Sequence, residues 1–185
     1  TDHPFFTSLH TIGIRFPMQD KYEDSTTCIT SRCHTHLYCG LDVSYVYALR
    51  MGGEAPHLGM IVTEGSLGGY SVERDLEHRS NDRGCFILHP SPEELEPGEE
   101  MTVTWKIFAH NGEEDFYQKA GKFTRFVKVT ADKYVLFPGE NCSISMETSF
   151  DADTVTVDGT AAEKRLLSRS LQQTVCRRKR SQSAE

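Results

Sequence analysis

The sequence predicts a mainly β protein, an antiparallel two-sheet β-sandwich with one short helix. Three observations lead there. Short runs alternate between apolar and polar residues at period two, Gly, Pro, Asn and Asp punctuate them, and no regular strand-helix alternation appears that would build a parallel sheet. The best-patterned stretch is residues 43–69. Along its first run Val43, Tyr45, Tyr47, Leu49 and Met51 share one face and Ser44, Val46, Ala48 and Arg50 the other. The second run, residues 58–63, is apolar on both faces and so is expected to be a central strand. Between them Gly52-Gly53-Glu54-Ala55-Pro56-His57 is too long for a two-residue turn and predicts a shaped surface loop.

The remaining elements follow in chain order. Ile12, Ile14 and Phe16 alternate with Gly13 and Arg15 as a first strand that Pro17 ends. Residues 20–32, DKYEDSTTCITSR, are polar and read as a loop. Residues 70–75 suggest a strand, 76–84 a charged turn, and 85–88 a short buried strand stopped by Pro90-Ser91-Pro92. After an acidic loop at 93–100 comes the clearest alternation, residues 101–109, with Met101, Val103, Trp105 and Ile107 expected to face the core. Trp105, the only tryptophan, could stack on a sugar, but its apolar period-two neighbours favour core packing. Asn111 is a candidate cap for the helix. Glu113, Glu114 and Asp115 supply first-turn acids, and Phe116, Ala120 and Phe123 form its apolar stripe; Gly121 should mark its end. Residues 126–129, 134–137, 142–146 and 154–157 read as further strands, with Pro138-Gly139 and Asp158-Gly159 as turn markers.

A length of 185 residues suits one domain with a tail, read as a sandwich over 1–160 and a basic tail or linker over 161–185, disordered or partly helical. The net charge of −7 is uneven. The last 25 residues hold seven Lys/Arg against two Glu, leaving 13 Lys/Arg against 25 Asp/Glu before them. That acidic body argues against a nucleic-acid surface, which needs Lys and Arg to neutralise phosphates. The Arg177-Arg178-Lys179-Arg180 cluster suits a solvated end better than a localisation signal, a processing site or a phosphate contact. The six cysteines form no CxxC pair and no dense framework, which leans towards free thiols. No apolar run approaches the ~20 residues of a membrane helix and no signal peptide is evident, so a soluble chain without membrane contact is expected. The absence of an initiator Met suggests a processed chain or a fragment.

His34 and His36 lie two apart and would share a strand face, which invites a metal reading. Cys33 falls on the opposite face, however, and no third ligand completes the set, so neither a metal nor another cofactor is expected. The sequence also lacks a GxSxG elbow, an HExxH motif and a phosphate loop. The candidate contact residues are Arg50, Glu54 and His57 around the loop, Tyr70, with Tyr45 as its alternative, as a stacking ring, and His34 and His36. A sugar-isomerising enzyme of the mutarotase or epimerase kind would instead pair one of His34, His36 or His57 with Glu54 or Glu64. A secreted adhesion sandwich would favour paired cysteines.

The run HTHLYCGLDVSYVYALRMGGEAPHLGMIVTEGSL, the Leu95/Pro97-Gly98-Glu99 turn before a strand and the phrase His110 to Phe116 resemble the N-terminal β-sandwich module of bacterial (α/α)6-barrel carbohydrate-active enzymes, within the galactose-mutarotase-like supersandwich group. The resemblance spans residues 5–158. It implies a non-catalytic accessory domain of a polysaccharide-degrading enzyme, in bacterial cytoplasm or periplasm. Its partner would be a catalytic barrel of the same full-length protein, with carbohydrate as a further ligand. No catalytic residue carries over, because in such enzymes the chemistry usually lies on the barrel. Residues 161–185 depart from the pattern, in which a linker helix would follow the sandwich.

Overall fold

The computed structural model describes residues 7–8, 12–16, 18–41, 43–74, 83–92, 94–138, 140, 142–151, 156–157, 160–161, 165–167 and 170–176. The fold is mainly β, as expected, and it divides into two compact units, Thr1–Thr124 and Arg125–Glu185. The turn expected at 76–84 lies almost wholly outside the described residues, as do the 158–159 turn and the 177–180 basic cluster.

The first unit contains, in order, β1 (Thr7–Ser8), β2 (Ile14–Phe16), α1 (Ser25–Ser31), β3 (Cys33–Gly40), β4 (Val43–Arg50), β5 (His57–Glu64), β6 (Ser66–Arg74), β7 (Arg83–Ser91), β8 (Glu94–Leu95), β9 (Thr104–His110) and α2 (Glu113–Phe123). Strands β2-β7-β6 form one antiparallel sheet and β3-β4-β5-β9 another, with β1 and β8 as a separate pair. The second unit has β10 (Val127–Ala131), β11 (Cys142–Thr148), β12 (Thr156–Val157), β13 (Thr160–Ala161), β14 (Arg165–Leu167) and β15 (Ser170–Cys176). Its main sheet runs β10-β11-β15-β14, so the described backbone of the basic stretch is strand.

Period two explains the core. Ser44, Val46 and Ala48 alternate inward along β4, and Met60 pairs opposite Val46 in register. These join Phe16, Met18, Val62, Leu67, Phe86 and Leu88 from the neighbouring elements. Burying each large apolar side chain contributes about 1.5–3 kcal/mol. The 43–69 stretch forms the expected pair of strands, and β5 is internal, between β4 and β9.

Outside helix α2, four expectations are corrected. Residues 25–31 form α1 rather than loop; the Ser/Thr-rich composition hides it, but Asp24 caps it by accepting the Thr27 N–H at 3.0 Å. Trp105 and Ile107 share the core face with Val62 and Met60, their partners in register, but are not buried in it: on the edge strand β9 they are 39% and 57% exposed. The Tyr134–Phe137 run is an exposed loop, closed by a Glu140 carboxylate that accepts the Phe137 N–H at 3.1 Å. Strand β7 runs through Pro90 to Ser91, in a stretch beyond the rungs where β2 pairs.

Helix α2 forms where its acidic first turn and apolar stripe place it, with Phe116 and Ala120 buried. Gly112, with φ of 132°, takes the cap position instead of Asn111, whose N–H is accepted by Asp115 at 2.8 Å. The helix continues past Gly121 to Phe123.

Candidate functional site

The sheet β3-β4-β5-β9 has two unlike faces. One carries the core. The other is built of rings: His34, His36 and Tyr38 on β3, Tyr45 and Tyr47 on β4, and Phe108 and His110 on β9, set beside one another by strand pairing. Helix α2 lies over this face because Gly59 offers it space; a Cβ there would stand 2.7 Å from the Phe116 ring and 2.9 Å from Phe108. Phe116 contacts Tyr45, Tyr47, Phe108 and His110 at centroid distances of 5.1–5.4 Å.

The buried end of the face is held by histidines. His110 stacks on Tyr47 at 5.0 Å and lies 5.4 Å from His57. With its proton on Nε2, His110 donates to the Leu58 carbonyl at 3.2 Å while Nδ1 accepts the Gly112 N–H at 3.2 Å. Burial keeps the His110 pKa below its ordinary value, against the raising effect of the Leu58 and Gly112 carbonyls beside its ring nitrogens. Burial likewise raises the Tyr47 and Tyr117 hydroxyls, with Tyr45 adding to the Tyr117 effect and Glu113 raising both.

The open end lies on β3. His34, His36 and Tyr38 are all exposed. Tyr38 stacks on Tyr45 at 5.3 Å and 24°, His36 sits 6.0 Å from Tyr47, and Tyr22 Oη is 3.4 Å from His34 Nδ1. Tyr117 of α2 meets Tyr45 edge-on at 6.3 Å and forms the inner wall.

The structure therefore joins His34 and His36 to a ring surface, sets His57 at its buried end beside His110, and leaves Arg50, Glu54 and Tyr70 apart from it. Arg50 and Glu54 are exposed at the β4-β5 loop, whereas His57, expected among the contact residues there, is only 7% exposed. Its Nδ1 accepts the Arg50 N–H at 3.2 Å, closing the loop from beneath. Tyr70 stands on the other sheet, edge-on to Phe86. Tyr38, Tyr22 and Tyr117 were missed; the signal for Tyr38 was its two-residue spacing from His36.

No hydrogen bond joins Glu54 or Glu64 to His34, His36 or His57 among the described residues, and Glu64 instead accepts from Thr104 at 2.9 Å. No three His, Cys, Asp or Glu cluster as metal ligands there either. Cys28, Cys33, Cys39 and Cys85 are free thiols. No helix among the described residues is long and apolar enough to cross a membrane.

No protein-family model and no curated protein matches the chain. Among solved structures it is similar to a chain named Polysaccharide Lyase BACCELL_00875, with 31% sequence identity and a TM-score of 0.78. The match covers 95% of this chain but 26% of the lyase, so the chain spans about a quarter of that protein's length. The likeness relates this β-rich chain to a carbohydrate-active enzyme.

Proposed function

We propose that the chain acts as a non-catalytic accessory β-sandwich of a polysaccharide-degrading enzyme, packing against and shaping a catalytic (α/α)6-barrel domain and contacting carbohydrate. One observation carries the reading: nearly the whole chain resembles about a quarter of a polysaccharide lyase, at 31% identity. A catalytic partner then accounts for the open apolar strip at the sheet edge. Leu58, Ile107 and Trp105 share one face of β5 and β9, with Met60 opposite Ile107 and Val62 opposite Trp105, and they are 41%, 57% and 39% exposed. An apolar edge of this kind invites unwanted pairing unless another element covers it. We assign that strip to the partner domain.

The accessory role is tested on the purified chain. Incubated with neutral and uronic-acid polysaccharides it should release no reducing ends, and with reducing sugars it should leave anomer exchange at the buffer rate. Cleavage by the chain alone, or accelerated exchange, would overturn the accessory reading in favour of an enzyme complete in itself.

A further inference from the structure

We propose that the exposed ring row His34–His36–Tyr38 on β3, extended by Tyr22 from the segment before α1 and backed by Tyr45 and Tyr117, is a binding strip for a polysaccharide chain laid along the strand. The inference rests on the carbohydrate-enzyme reading and gives it a location away from the β4-β5 loop.

Alternate residues of a strand project from one face roughly 6–7 Å apart, so His34, His36 and Tyr38 present rings at regular steps. Tyr38 is 51% exposed, yet its ring is fixed: it stacks on Tyr45 and covers Gly40, where an added Cβ would collide with it. A fixed, open ring with a hydroxyl at its tip gives a pyranose an apolar face to lie on and a hydrogen-bond partner for its rim. The imidazoles of His34 and His36, and the hydroxyl of Tyr22, extend the same chemistry along the row.

Two other occupants fit less well. A peptide adding itself as a strand needs a free backbone edge, but β3 is engaged at both ends, by Cys33 N–H donating to Gln19 at 3.1 Å and by the Leu41–Leu67 bridge. A nucleic acid could stack on the rings, but its phosphates would meet an acidic body, with Glu113 at the start of the adjoining helix.

Calorimetric titration of the whole chain with soluble neutral and uronic-acid polysaccharides tests the strip. Removing one stacking ring should weaken binding by about fivefold, so Tyr38→Ala and His36→Ala should each do so while the chain stays folded by circular dichroism at the titration temperature. Gly40→Val, which removes no ring but displaces that of Tyr38, should weaken it similarly, while Trp105→Ala and Tyr70→Ala should leave it unchanged. Unaltered binding by the Tyr38 and His36 variants, with loss on Arg50→Ala/Glu54→Ala or Trp105→Ala, would overturn the strip and leave the accessory role standing. Absence of binding to every polysaccharide would also overturn the strip; the accessory role is decided separately, by catalytic assays.

Discussion

At the scale of single residues, the ring face depends on groups too small or too neutral to attract notice in a sequence. Gly59 is one: Gly59→Val forces Phe116 or Phe108 aside and should destabilise by about 1–3 kcal/mol, the usual cost of overpacking, measurable by urea unfolding. His110 is another. Its folded pKa is depressed by burial, so the unfolded chain takes up the proton first as pH falls. Stability from this group is full above the unfolded value of about 6.5 and is lost as pH drops from there towards the folded pKa. Melting curves between pH 7.5 and 5 should show that loss, and His110→Gln should flatten it; an unchanged slope would remove His110 as the titrating group. The sequence shows that His34 and His36 share a face, because strand alternation is local. It does not show that His57 turns inward, since that follows from the contact with His110 across the β5-β9 pairing.

At the scale of elements, the strands were legible where both faces are constrained and misread where one is open. Alternation places Trp105 and Ile107 together but cannot say whether they are covered, and on the edge strand β9 they are 39% and 57% exposed. The four-residue apolar run at Tyr134–Phe137 looks like a strand by composition. Instead Glu140 turns it into a loop by accepting the Phe137 N–H and pairing with Lys133 at 3.4 Å. Helix α1 was illegible because Thr and Ile are weak helix formers and because Asp20, Glu23 and Asp24 stand close together before it, so that composition does not single out the capping acid. Asp24→Ala should therefore cost about 1 kcal/mol, seen as a lower urea midpoint. The helix α2 was legible from its stripe, and Phe116→Ala should cost about 3–5 kcal/mol, with faster amide exchange in α2 as the companion observation.

At the scale of the whole molecule, the fold class was readable from strand spacing, whereas the assignment to a sugar-acting enzyme depended on resemblance and on likeness to a lyase four times as long in rough proportion. A ring row lies on one side of the β3-β4-β5-β9 sheet and an apolar edge on the other, and in the proposed account the first goes to polysaccharide and the second to a catalytic domain. The most direct measurement of that account is a transplant. The matching quarter of the similar polysaccharide lyase is replaced by this chain, and the release of reducing ends from the lyase's polysaccharide is followed. The account predicts a folded chimera that retains cleavage, with Trp105→Asp/Ile107→Asp reducing the rate at least tenfold, a loss of about 1.4 kcal/mol in transition-state stabilisation. A monodisperse, folded chimera with no cleavage, or one indifferent to the Trp105 and Ile107 changes, would contradict it.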